Sequence, residues 1–327
     1  MKKVLSVIMA TLMLALAMFF AVSCGSKKVP VIGINQLAQH GSLDNCREGF
    51  IAGLSEAGYV EGENIEIDFQ SAQDVPSVAS QIAQNFASTG KDLVCGIATP
   101  SAQALYTACY DKGIPVIFNA VSDPVEAKLA VSETETMDGV TGVSDALPVE
   151  DQLKLIRAFL PDAKTIGILY TTSEANSVST LAEYKELAPK YGFEIVDTGV
   201  GTKAEIPQAA DILVSKVDCI SNMTDNAVVA SLSVLLEKAA AANIPVFGSE
   251  EEQVKNGCIA AAGLDYFALG KETGLIAAEV LGGKDISEIP YKTIKDSIIT
   301  VNSDVAQTLG ITIPEDISAS AVDVASN

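Results

Sequence analysis

No tryptophan, one histidine and two arginines occur in the 327 residues, and each shortage removes a class of chemistry. With His40 alone, no metal site or catalytic triad can be built around several histidines. The arginines, Arg47 and Arg157, both fall mid-helix by pattern and away from strand ends, so a bidentate guanidinium clamp on a carboxylate is not expected. Basic blocks are also missing, against a formal charge of −21. Phosphate-backbone binding needs clustered Lys and Arg, so nucleic acid is not an expected partner. The acidity reads instead as a solubility feature of an exported surface. No G-x-G-x-x-G follows the first strand, and G-x-x-x-x-G-K-[ST], G-x-S-x-G and H-E-x-x-H are all absent. No carboxylate pair stands out from the acidic background. The chain is therefore expected not to be an enzyme, with no catalytic residue, no cofactor and no metal to nominate.

What is present begins at the N-terminus. Met1-Lys2-Lys3 precedes 20 uncharged, mostly apolar residues from Val4 to Ser23, the layout of a secretory signal. A run of about 20 apolar residues could also span a bilayer. The sequence Ala21-Val22-Ser23-Cys24-Gly25-Ser26 decides between them, because it resembles a bacterial lipobox, with Ala21 where Leu is usual. In that chemistry the Cys sulfur is diacylated and the preceding peptide bond is cut. Residues 1–23 thus read as a signal peptide, Cys24 as the lipidation site, and 24–28 as a short tether to the outer face of the cell membrane. Two or three acyl chains hold a soluble domain there, at about 0.8 kcal/mol per buried CH₂. Cleavage removes Lys2 and Lys3, takes the charge to −23 and leaves 304 residues, enough for two domains. Five further cysteines (Cys46, Cys95, Cys109, Cys219, Cys258) are odd in number and show no C-x-x-C, so they read as free structural residues, a single disulfide being the alternative.

Beyond the leader, short β-rich runs alternate with amphipathic stretches. Val29 to Ile34 reads as a strand, Ser42 to Gly58 as a helix, Ile65 to Phe69 as a strand, Val78 to Phe86 as a helix and Asp92 to Ile97 as a strand. Pro100 opens a helix at its first turn, where its missing N–H costs nothing, and Val116-Ile117-Phe118 is another strand. The plan restarts at Lys164, with helices expected over Asn176 to Tyr191, Ala204 to Lys216 and Asn226 to Ala242. Gly113-Ile114-Pro115-Val116 in one half is echoed by Asn243-Ile244-Pro245-Val246 in the other. Such alternation implies parallel sheets covered on both faces. The expected fold is α/β, two doubly wound parallel-sheet domains joined by a multi-crossover hinge. One lobe takes 29–144 plus about 263–290, the other 145–262 plus about 291–327.

This order of elements resembles the periplasmic-binding-protein type I fold. More narrowly, the chain resembles the ABC-transporter substrate-binding lipoproteins of the tryptophan/tyrosine-binding kind. The likeness rests on Ile34-Asn35-Gln36 with His40 to Asp44, Ile97 to Ala104, Asn119 to Val125, Gly139 to Asp145, Ile168-Leu169-Tyr170 with Glu174 to Ser177, Thr224-Asp225-Asn226, and Gly263 to Tyr266. Each motif alone is weak; the ordered set covers essentially the whole mature chain. The resemblance implies capture of an amino acid, aromatic in character (tryptophan or tyrosine), between two closing lobes. It implies as partners an ABC permease and its ATPase, and as location the outer membrane face, the protein being a monomer.

In open parallel sheets ligands bind beyond the carboxyl ends of the strands, so the residues following each strand are the candidates. The first half offers Gln36, His40, Thr99, Ser101, Ser122 and Asp123; the second offers Glu174, Asn176, Ser177, Thr224, Asp225 and Asn226, with Asp265 and Tyr266 later. With arginine absent from strand ends, a ligand carboxylate must rest on helix N-termini, where Thr99/Ser101 and Asn176/Ser177 stand; plain N-capping is their alternative role. For a ligand ammonium Asp225 comes first, then Asp123 and Asp265, Asp123 otherwise serving the turn before Pro124. Aromatic walls would come from Tyr170, Tyr266 and Phe118, which core packing would equally explain. Two other readings stay open: a sugar or nucleoside receptor of the same fold, or a surface adhesin or sensor.

Overall fold

A computed structural model describes residues 29–326. The expected signal peptide, the expected lipidation site Cys24 and the expected tether lie outside the described residues. The first sheet contains β1 (Val31–Gln36), β2 (Glu66–Ser71), β3 (Leu93–Ile97), β4 (Val116–Asn119) and β7 (Val140–Ser144). A short hairpin, β5 (Ala130–Ser132) and β6 (Glu135–Thr136), stands outside it. The second sheet contains β8 (Thr165–Thr171), β9 (Glu194–Val200), β10 (Cys219–Ser221) and β11 (Val246–Phe247). The C-terminal segment supplies β12 (Ala260–Gly263), β13 (Lys292–Thr293), β14 (Ile298–Val301) and β15 (Val322–Asp323).

The first sheet has the order β13-β7-β4-β3-β1-β2, parallel throughout, and the second the order β11-β10-β8-β9, also parallel. Backbone bonds Ile259 N→Val246 O (2.8 Å) and Gly248 N→Ala260 O (2.9 Å) join β12 to the edge of the second sheet. β14 runs antiparallel to β12, and β15 parallel to β14. The buried strands read as continuous apolar runs because both sheet faces are covered by helices. Leu93-Val94-Cys95-Gly96-Ile97 is buried at every position, for instance.

The chain therefore passes between lobes three times, after β7, after β12 and after β13. The pairing Lys292↔Val143 shows that the first sheet draws on the chain as far as Thr293, a few residues past the break expected near 290. Three further differences have local causes. The helix expected over Asn226 to Ala242 is broken into Asn226–Val229 and Leu232–Ala242. β-branched Val228 and Val229 and then Ser231 are weak helix formers, and Ser231 restarts the ladder. The helix begun at Ala175 ends at Leu187, and Ala188–Tyr191 tightens to 3₁₀. The third is helix Val149–Phe159 after the first crossover, which the sequence reading marked only by placing Arg157 mid-helix; Arg157 stands in its last turn.

One contact fixes the first lobe more tightly than any other. Helix Gly41–Glu56 lies directly against helix Tyr266–Leu281 through four glycines. A Cβ on Gly49, Gly53, Gly270 or Gly274 would fall 2.1, 2.1, 2.1 or 2.2 Å from a carbonyl oxygen of the opposite helix. The backbones touch, so the second crossover, which feeds Tyr266, is bound rigidly to the helix that follows β1. All five described cysteines are free and buried. Among the described residues no helix is long and apolar enough to cross a membrane, and no group of His, Cys, Asp or Glu could hold a metal ion.

Candidate functional site

The carboxyl ends of the two sheets face each other across a narrow cavity. The first lobe contributes His40, Ser42 and Leu43 after β1, Ala98 and Thr99 after β3, Ala120 and Ser122 after β4, and Asp145 after β7. The second contributes Asn176 after β8, Thr224, Asn226 and Val229 after β10, and Gln253 after β11; Tyr266 enters from the second crossover. Ala98 and Ala120 both have positive φ, +76° and +55°, a costly conformation for a residue with a Cβ and one that clusters at functional sites. A wider vestibule adjoins the cavity, sharing His40, Ser42, Val229 and Gln253 with it.

The lobes are drawn together over this space. The Ser42 hydroxyl faces the Glu250 carboxylate across the gap. A Cβ on Gly41 would lie 2.7 Å from Glu252 Cγ, and Lys203 Nζ stands 3.5 Å from Asp74 Oδ2. Burial pushes Glu250 up to about 7, the two backbone N–H groups of Glu252 and Gln253 and the Ser42 hydroxyl opposing it.

Polar groups in the cavity divide into those already partnered and those left open. Asp145 is buried, with Ser122 Oγ donating to Oδ1 at 3.0 Å and Tyr266 Oη donating to Oδ2 at 2.8 Å. Burial raises its pKa, while the two hydroxyls lower it. Each of its oxygens retains room for a further donor. Asn176 Nδ2 faces Glu174 Oε2 (3.2 Å), Ser177 Oγ (3.4 Å) and the Thr224 carbonyl (3.2 Å), whereas its Oδ1 is buried without a partner. His40 is the other open group: both ring nitrogens are buried and neither completes a hydrogen bond within the chain. Burial holds His40 down to about 4, with Asp44 and Asn226 pulling it back upward.

Several residues expected at the site are engaged elsewhere. Asp225 is fully buried and accepts from Thr171 N (2.5 Å), Thr171 Oγ1 (2.9 Å), Ser177 Oγ (2.7 Å) and Val228 N (3.0 Å), so its carboxylate has no capacity left for an ammonium. The same network accounts for Ser177. Glu174 accepts from Asn176, from the Asn226 side chain and from the backbone N–H groups of Asn226 and Ala227, and burial with the nearby Asp225 charge pushes it up to about 7. Ser101 donates to Asn35 at 3.2 Å inside the first lobe. Gln36 lies beneath the site, bonded to Ala38 O, Asp44 and Arg47. Asp123 caps the turn at Val125 and Glu126 and lines a neighbouring groove; Asp265 is an exposed N-cap bonded to Ala268 N. Tyr170 packs against the second core and Phe118 within the first, neither reaching the cavity. The arginines are absent from the cavity, as expected: Arg47 pairs with Asp44, and Arg157 donates to loop carbonyls around Tyr191.

The sequence reading brought His40, Thr99, Ser122, Asn176, Thr224, Asn226 and Tyr266 to the cavity but passed over Asp145. Asp145 follows β7 as the others follow their strands, so the same rule would have found it had β7 been read as a strand.

The profile of the ABC transporter substrate binding protein family matches residues 31–325. The chain belongs to that family. It is accordingly the extracytoplasmic substrate-binding protein of an ABC transporter and not an enzyme. It is 42% identical over 284 residues to a tyrosine-binding protein of Clostridioides difficile (strain R20291), covering 87% of this chain and 82% of that one. Among solved structures, an ABC domain from Streptococcus pneumoniae in complex with L-Trp aligns with a TM-score of 0.86 at 34% identity, covering 89% of this chain and 98% of the other. A ligand-free, open substrate-binding protein with adhesive properties from Clostridium difficile aligns with a TM-score of only 0.69 despite 40% identity, covering 90% and 99%. This substrate-binding protein thus matches the ligand-bound relative better than the open one, in keeping with its inter-lobe contacts.

Proposed function

We propose that this substrate-binding protein captures a single aromatic amino acid in the cavity between its lobes and delivers it to the permease and ATPase of an ABC importer. The observation that carries this reading is the cleft between the lobes, with buried and unpartnered polar atoms in its wall. Empty polar pockets of that kind are costly unless a ligand or water completes them. The 42%-identical tyrosine-binding relative and the L-Trp-bound neighbour support an aromatic amino acid. Asp145, the only carboxylate lining the cavity among the described residues, would meet the ligand ammonium, which in turn would keep it ionised. The ligand carboxylate would rest on the N-terminus of helix Thr99–Cys109, whose first N–H groups have no helical partner. Cys24 would carry the lipid that keeps the closing receptor beside its permease as a monomer.

A thermal-shift and calorimetric screen of amino acids, sugars and nucleosides tests the reading. Ligand at a thousandfold excess over Kd should stabilise by about 4 kcal/mol. Aromatic amino acids should shift melting; a shift by sugars or nucleosides alone would defeat the assignment.

A further inference from the structure

We propose that His40 and Asn176 read a hydroxyl at the distal end of the ligand, so that the receptor selects a phenol over a phenyl or an indole ring. This rests on the amino-acid reading above and adds the residues that choose among aromatic side chains.

The argument starts from the orientation of the Asn176 amide. Its Nδ2 faces three acceptors, on Glu174, Ser177 and Thr224, which fixes which end of the amide is which. Oδ1 is therefore an acceptor in the cavity wall with no donor. His40 supplies the complement. A neutral imidazole has one N–H and one lone pair, and burial keeps this ring neutral at physiological pH. Both nitrogens are buried and neither makes a hydrogen bond of full geometry, although the Asn226 side chain stands against the ring.

The two groups belong to one end of the cavity. Glu174 Oε2 accepts from Asn176 Nδ2 at 3.2 Å and from Asn226 Nδ2 at 2.6 Å, and Asn226 in turn lies against His40. That end thus offers two acceptors and one donor, all awaiting a ligand. The α-ammonium and α-carboxylate are provided for on the first lobe, by Asp145 and the helix N-terminus, which leaves the side chain to reach this end. A phenol hydroxyl carries one hydrogen and two lone pairs, so it can donate to Asn176 Oδ1 while accepting from the His40 N–H. An indole N–H only donates, and a phenyl ring does neither. An ammonium here would give hydrogens and no lone pair, leaving the His40 donor unmet. Sites built around a substrate hydroxyl reject the analogue lacking it far more strongly than apolar pockets reject a missing methylene.

Calorimetry on the full mature chain with L-tyrosine, L-phenylalanine, 4-fluoro-L-phenylalanine and L-tryptophan tests this. Tyrosine should bind at least about 100-fold more tightly than either phenylalanine, with tryptophan between. His40→Leu removes no helix cap and no hydrogen bond of full geometry, only the contact with Asn226, so the variant should fold. It should weaken tyrosine by about 10-fold or more and leave phenylalanine within about threefold of wild type. Equal binding of tyrosine and phenylalanine by the wild type would overturn the proposal, as would His40→Leu weakening all ligands alike. Both of those results leave the amino-acid receptor standing. Failure of every amino acid to bind the wild type would remove that reading and this one together.

Discussion

Replacing Asp225 by alanine should cost stability before it costs binding. Four donors converge on its carboxylate, and two of them, the N–H groups of Thr171 and Val228, are backbone groups that cannot rotate toward another acceptor. The Thr171 and Ser177 hydroxyls can turn, so their loss counts for less. Each buried donor left unmatched costs about 1–3 kcal/mol, which puts the two amides at about 2–6 kcal/mol. For a lobe of ordinary domain size that lowers the melting temperature by on the order of 10 °C. All four contacts lie within the second lobe, so the loss should appear in ligand-free protein, whether the lobes are open or closed. Differential scanning calorimetry of the apo protein is the assay, with Asp225→Asn as an intermediate case that keeps one acceptor oxygen. Binding measured well below the melting temperature should persist. An apo melting temperature within 2 °C of wild type, with ligand binding abolished, would show that the carboxylate serves the ligand and that the network around it is dispensable.

Two further outcomes follow from the packing and from burial. Gly270→Ala places a Cβ 2.1 Å from the Cys46 carbonyl and must push two helices apart, so it should destabilise by about 1–3 kcal/mol or more in urea titration, whereas Gly201→Ala, with its nearest contact at 3.6 Å, should change little. Because both helices start at the cavity, Gly270→Ala should also weaken ligand binding. Glu174 and Glu250 are pushed up to about 7 when buried but titrate near 4.5 when unfolded, so the folded protein holds the extra protons between those values. Their contribution makes stability fall as pH rises from about 4.5 to 7 and level off above. His40, held down to about 4, acts in the opposite sense between about 4 and 6.5, one group against two. The ligand-saturated protein should therefore melt higher at pH 5.5 than at pH 7.5, and a steady rise in melting temperature over that range would refute the balance.

How far the sequence could be read depended on the range of the interaction. Strand–helix alternation is local, so the two parallel sheets were legible, and with them the rule that strand ends face the ligand. That rule put His40, Thr99, Ser122, Asn176, Thr224, Asn226 and Tyr266 where the cavity is. It could not say which way each side chain turns once there. Asp225 stands in the right loop, yet its partners Thr171 and Ser177 lie 54 and 48 residues away, and only the assembled lobe shows that they claim its carboxylate. Ser101 and Gln36 were misread for the same reason, since Asn35, Asp44 and Arg47 take up their polar atoms from within the lobe. The β5–β6 hairpin was invisible because its turn, Glu133-Thr134, carries none of the Gly or Asn signals that mark tight turns.

The least legible feature is also the one that connects the cavity to the hinge. Asp145 begins the first crossover and Tyr266 ends the second, and their 2.8 Å hydrogen bond ties the two strands of the hinge to each other. The third crossover is fastened to the first by Ile294 N→Ser144 O at 3.4 Å, one residue before Asp145. A group that engages Asp145 therefore touches the wall of the cavity and the pivot of the lobes at the same atom. A ligand shifts such an equilibrium only by its differential contacts with the two states. On the proposed reading the first lobe would hold the amino-acid end by itself, through Asp145, Ser122 and the helix at Thr99, while His40 finds Asn226 and Asn176 opposite it only when the lobes meet. The contacts that can favour closure are thus the distal ones. On that reading, discrimination between side chains and closure of the receptor would be one event, because the same buried groups would be completed by both.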